Sequence, residues 1–183
     1  AVDRALVLGP LPLPLPAFHD ADRHGVTLEK LAEAPTLDVA MLRPRADQAI
    51  PGPGAPTWRE RSLPEEFGTD GVPAEAWLAF NILSDAWHEA TLRIAASEGV
   101  MVQAWLDGDE LALKADDEDR QAAELTLPLG NRQVLIRGVM EADREGPWRP
   151  EISLALPEDT PSDGGVRPTV TQARPADIDL VLD

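Results

Sequence analysis

The clearest pattern lies in the second half of the chain. In residues 90–95, Leu92 and Ile94 fall on one face and Thr91 and Arg93 on the other. In residues 100–106, Val100, Val102, Ala104 and Leu106 again share one side. A period of two marks strands that bury one face. Residues 76–83 (AWLAFNIL up to Leu83) form a dense apolar run of strand length. Residues 125–127, 133–139 and 152–156 complete the set, and residues 5–8, stopped by Gly9-Pro10, add a strand near the start. Leu111 and Leu113 are expected to continue the sheet after a turn. Short strands with turn signals between them predict an antiparallel sandwich or barrel.

The turns and breaks are less regular. Asp107-Gly108 joins two apolar stretches and predicts a two-residue hairpin bend, because a type I′ turn needs positive φ at both central positions. Trp105 and Leu106 just before it must point to opposite faces, and one of them is expected to be buried. The segment PLPLPLP (10–16) lacks amide hydrogens at every second position, so it reads as an extended edge or polyproline-like connection. It has no neighbouring basic residues to make it an SH3-type ligand. Thr27 can cap a short helix over 28–34, ended by Pro35. Residues 43–75, rich in Pro, Gly and charge around Trp58, read as a long irregular connection. From Pro157 the composition is that of a linker. The alternating DIDLVLD (177–183) is a candidate last strand of the sheet, or the first strand of a following domain. The expected organisation is therefore one module over 1–156 and a linker-like tail over 157–183.

Charge narrows the partners. The 183 residues carry 33 acids against 16 bases, a net charge of −17, and the only lysines are Lys30 and Lys114. Such a surface repels nucleic acid and anionic lipid, so neither is expected as a partner. Acid-rich, lysine-poor surfaces are characteristic of halophilic or high-GC bacterial proteins. There is no cysteine, which removes disulfides and thiol chemistry. No apolar run approaches the roughly 20 residues of a membrane span. The chain opens on Ala1, as it would after removal of an export signal or at a boundary within a longer protein.

Candidate chemistry is sparse. Asp116, Asp117, Glu118 and Asp119 form the densest acid run, but without the spacing and fixed glycine of a twelve-residue calcium loop. His19, Asp20, Asp22 and His24 are residue types that suit zinc, in a spacing that fits no metal motif. His88 beside Ser84 and Asp85 suggests a triad, yet no G-x-S-x-G elbow is present. No glycine-rich phosphate loop occurs. Of five tryptophans, Trp58, Trp77 and Trp105 sit in strand-like settings and are expected to be buried. Trp87 and Trp148 lie in connections and are the candidates for an exposed stacking platform.

Five stretches, in order, resemble one family. ALVLGPLP (5–12), Thr57-Trp58, AWLAFNILSDAWHEATLRIAASEGVMVQAWLDGDEL (76–111), LPLGNRQVLIRGV (127–139) and GPWRPEISL (146–154) resemble accessory modules of exported bacterial proteins, the carbohydrate-binding-like and PA14-like jelly rolls. Such modules sit beside glycoside hydrolase, peptidase or transglutaminase-like domains. The resemblance implies an all-β, antiparallel jelly-roll-like β-sandwich, here with an irregular N-terminal third and at most short helices. It implies a non-catalytic module in the periplasm or outside the cell, with weak carbohydrate recognition and an adjacent domain of the same chain as partner. In PA14-type lectins a DDG stretch holds calcium; here the matching positions are Ser97, Glu98 and Gly99. Glu98, Asp107 and Asp109 are then the candidate calcium ligands, and Trp87, Trp148 and Asp107 the candidate ligand-binding residues. The alternative is a structural or interaction domain that positions a neighbouring enzyme domain and binds no small ligand.

Overall fold

The computed structural model describes residues 2–13, 28, 32, 37–39, 42–51, 54–69, 71–95, 97–142, 146–157 and 166–169. Eleven strands lie among them: β1 Arg4–Pro12, β2 Arg59–Ser62, β3 Ala74–Ser84, β4 His88–Ala95, β5 Val100–Leu106, β6 Asp109–Glu110, β7 Lys114–Ala115, β8 Arg120–Leu127, β9 Gly130–Met140, β10 Ile152–Ala155 and β11 Val166–Thr169. They form two antiparallel sheets. The larger runs β2-β1-β3-β9-β5-β6, and β11 also pairs with β3; the smaller runs β10-β4-β8-β7. The protein is an all-β sandwich, as the alternation predicts.

The central ladder explains the core. Across β3, β9 and β5 the rows Leu78–Ile136–Ala104 and Phe80–Val134–Leu106 face the smaller sheet. There they meet Ala90, Leu92 and Ile94 of β4 and Leu125 and Leu127 of β8. The alternate rows, Trp77–Arg137–Gln103 and Ala79–Leu135–Trp105, face the other way. That outer face is not left to solvent. Val39 and Trp58 pack on it, with Leu37, Leu42 and Ile50 partly buried around them. The larger sheet is thus covered on both sides, which is why 76–83 reads as a continuous apolar run instead of an alternating one.

Several sequence expectations need correction. β2 lies inside the stretch read as irregular and pairs with β1 through Arg4–Ser62 to Val7–Arg59. β1 lies between β2 and β3 only over Arg4–Val7; its end, Leu11–Pro12, pairs with β3 alone and is an extended edge, as expected for the start of 10–16. Its two prolines are tolerated because Pro10 falls where the ladder to β3 shifts register, between Leu8 and Leu11, and Pro12 is the last residue of the strand. Leu111 and Leu113 pack on the core but lie between β6 and β7, outside any strand. Of the helix expected over 28–34, Leu28 and Ala32 are described, and both are helical. β11 arises in the stretch that composition marked as linker and pairs with β3 from Val166–Ser84 to Thr169–Asn81. It continues the edge that β1 occupies further along β3. Residues 177–183 and the group His19, Asp20, Asp22 and His24 lie outside the described residues.

Candidate functional site

The turns carry the candidate residues, and register fixes where each turn lies. β3 and β9 end their ladder at Ser84–Gly130. β4 and β8 begin theirs at His88–Leu127. The β3–β4 and β8–β9 connections therefore cross between the sheets side by side at one end of the sandwich. β11 starts there too, with Val166 opposite Ser84.

Trp87 sits in the first of these turns with 65% of its surface exposed. The turn is held by side chains. Ser84 Oγ donates to the Ala86 carbonyl at 2.6 Å, and His88 Nε2 lies 3.1 Å from Asp85 Oδ1. Ser84 therefore does not face His88 as a nucleophile would face its base, and the three residues do not assemble a triad.

Trp148, the other candidate platform, is fully buried. This corrects the expectation of an exposed ring. Its backbone exchanges hydrogen bonds with Phe67, N to O at 2.8 Å and O to N at 2.9 Å, and its ring meets the Phe67 ring at 5.7 Å between centroids. Trp58, Trp77 and Trp105 are buried as expected, and Trp77 stacks on Trp105 at 5.6 Å.

Asp107 is first a bend. Its φ is 49° and that of Gly108 is 87°, and Leu106 pairs with Asp109 across the two-residue loop. Its carboxylate then ties the hairpin to β9. Oδ1 accepts the Gln133 backbone N–H at 2.8 Å, and Oδ2 lies 3.3 Å from Arg132 Nη1. The Asp107 N–H in turn donates to the Gln133 carbonyl at 2.8 Å. Glu98 lies in the turn before β5 and Asp109 opens β6. Among the described residues no group of three or more His, Asp or Glu side chains is placed to hold a metal ion. No helix among them is long and apolar enough to cross a membrane.

The acid run is also a turn, joining β7 to β8. The Asp116 carboxylate accepts the N–H groups of Glu118 and Arg120, each at 2.9 Å, and Arg120 Nε at 3.0 Å. Arg93 Nε stands 3.5 Å away. Desolvation pushes the Asp116 pKa up. The backbone donors of Arg120 and Glu118, and then the Arg120 charge and side-chain hydrogen bond, outweigh it and hold the pKa below the usual 3.8. A lowered carboxylate pKa stabilises the fold above the unfolded value and loses that contribution as pH falls through the folded one. Asp116→Asn is therefore expected to flatten the acid limb of stability against pH, below the ordinary aspartate range, in urea unfolding at a series of pH values. An unchanged acid limb would contradict this account of Asp116.

Sequence reasoning missed the most deeply buried polar group. Arg137 Nε donates to Glu75 Oε2 at 2.7 Å, and Nη1 donates to the Ala32 carbonyl at 3.1 Å and to Gln103 Oε1 at 3.0 Å. The guanidinium lies 5.7 Å from the Trp77 ring centroid. Gln103 Nε2 reaches the same Ala32 carbonyl at 3.2 Å. The signal was a lone arginine inside VLIRGV and a lone glutamate opening an apolar strand, both on the outer-face rows. No protein-family model matches the chain, and none of the curated proteins or solved structures compared with it matches either.

Proposed function

We propose that the chain is a non-catalytic accessory module of an exported bacterial multidomain protein, acting in the periplasm or outside the cell by positioning a neighbouring domain. The five ordered resemblances support an accessory sandwich of the carbohydrate-binding-like, PA14-like kind. The observation that carries the positioning reading over sugar recognition is how the candidate ligand residues are used. Trp148 is a core ring, and the Asp107 carboxylate fastens a hairpin to β9. Of the three side chains offered for a ligand, Trp87 is open to solvent, Trp148 is buried, and Asp107, though exposed, has its carboxylate engaged by Gln133 and Arg132.

The test is a titration with neutral oligosaccharides and, separately, with calcium, read by melting temperature and tryptophan emission. A site-specific ligand at 100 times its dissociation constant stabilises by about 2.7 kcal/mol. The positioning reading expects neither shift. A rise in melting temperature with an oligosaccharide, abolished by Trp87→Ala, would replace it with sugar binding.

A further inference from the structure

Exposed large apolar side chains are few in this fold, and two of them are neighbours. Among the described residues they are Trp87 (65% exposed), Leu129 (51%) and Val72 (37%). Trp87 and Leu129 occupy the two turns that cross side by side at one end of the sandwich, bracketed by the Ser84–Gly130 and His88–Leu127 pairs. The Trp87 turn is fixed by the Ser84–Ala86 and Asp85–His88 hydrogen bonds, so the ring is presented on a braced support.

The surroundings are acidic. The Asp85 side chain is two-thirds exposed and Glu89 is exposed. β10 ends at Ala155 opposite Thr91, and β11 begins at Val166 opposite Ser84, so both strands reach this same end. The Asp107 turn lies nearby, against Gln133 and Arg132 of β9, and Arg132 is paired with it. Arg167 on β11 also lies at this end, opposite Leu83. An exposed tryptophan with a polar rim is the usual centre of a protein-binding patch.

We propose that this end, centred on Trp87 and Leu129, is the docking face of the module, and that its partner is a polypeptide segment carrying basic side chains interleaved with apolar ones. The inference rests on the positioning reading and names the face and the chemistry it uses. The apolar side chains of the partner cover the indole and Leu129. Its lysines or arginines answer Asp85 and Glu89, which a neutral glycan would leave unused.

The probe is a synthetic peptide of alternating lysine and leucine, titrated into the whole chain at low and moderate salt. Two readouts run together: binding heat, and protection of tryptophan emission from acrylamide. The second reports on Trp87 because the other four tryptophans are buried. The expected result is saturable heat with Trp87 protected. Trp87→Ala and Leu129→Ser should each weaken binding about tenfold with an unchanged melting temperature, as for hot-spot side chains. Asp85→Asn should weaken it at low salt, whereas Asp117→Asn should not, since the Asp117 turn adjoins Arg120 at the opposite end of β8. Heat without protection, or equal affinity in Trp87→Ala, would overturn this face while leaving the positioning role standing. The absence of both heat and protection would overturn the inference as well. Protection by neutral oligosaccharides but not by the peptide would overturn both readings.

Discussion

Replacing Arg137 with methionine is expected to destabilise the protein by about 3–5 kcal/mol, the range for removing one partner of a buried ion pair. The Arg137 and Glu75 side chains are 0% and 2% exposed, and their contact is 2.7 Å. Methionine matches the length of the arginine stem but supplies no donor. Glu75 then loses its cationic partner in a dry site, and the Ala32 carbonyl and Gln103 Oε1 each lose a donor. Glu75→Leu should cost a similar amount for the converse reason. The double variant Glu75→Leu/Arg137→Met removes both charges together and should recover most of the loss, since well-packed apolar pairs often equal the ion pair they replace. The remaining deficit should be about 1–2 kcal/mol, from the Gln103 acceptor that stays unanswered. The measurement is the urea midpoint at constant m. Additive single losses in the double variant would show that the two side chains do not share one desolvated site.

How far such features can be read from the chain depends on whether one face of a strand meets water. In β4, Thr91 and Arg93 are half-exposed while Leu92 and Ile94 are buried, so the alternation is written into the sequence. β3 is buried along nearly its whole length, because Trp58, Val39 and their neighbours cover the face turned away from the sandwich. Its sequence shows that it is a strand but not which side is which. β2 fails for the opposite reason: all four residues of Arg-Glu-Arg-Ser are exposed, so only pairing with β1 defines it. Two of the four residues of β11, Arg167 and Pro168, are exposed, and its partner lies more than eighty residues earlier.

The candidate site divides along the same line. Asp107-Gly108 was legible because turn chemistry is local. That the same carboxylate would cap the Gln133 N–H was not, since the two meet only when β5 and β9 pair. Trp87 and Trp148 give the same local signal, a tryptophan in a polar connection. One ring is open to solvent and the other has a socket. What decides between them is a side chain missing ten residues before Trp148, at Gly138.

Gly138→Ala is expected to cost about 3 kcal/mol, at the upper end of the usual penalty for overpacking a core. A Cβ at position 138 would stand 2.2 Å from Trp148 Cζ3, 2.4 Å from Cη2 and 2.8 Å from Cε3. Across the ladder Gly138 faces Ala76 on one side and Val102 on the other, so the indole lies over a shallow row. It cannot easily slide away. The Trp148 backbone is locked to Phe67 by two hydrogen bonds, and the Phe67 ring lies against it. For a chain of this length a loss of 3 kcal/mol should lower the melting temperature by about 6–12 °C. Trp148→Leu alone should cost about 3 kcal/mol through lost contacts and the cavity it opens. In that background the sign should turn. With the ring gone, the added methyl meets space, and alanine is a better strand residue than glycine by roughly 0.5–1 kcal/mol. Gly138→Ala should therefore be neutral or stabilising when Trp148 is leucine, giving a coupling of about 3 kcal/mol between positions ten residues apart in sequence. Equal costs in the two backgrounds would mean that the indole does not lie over Gly138, and Trp148 would return to the list of rings free to meet a ligand.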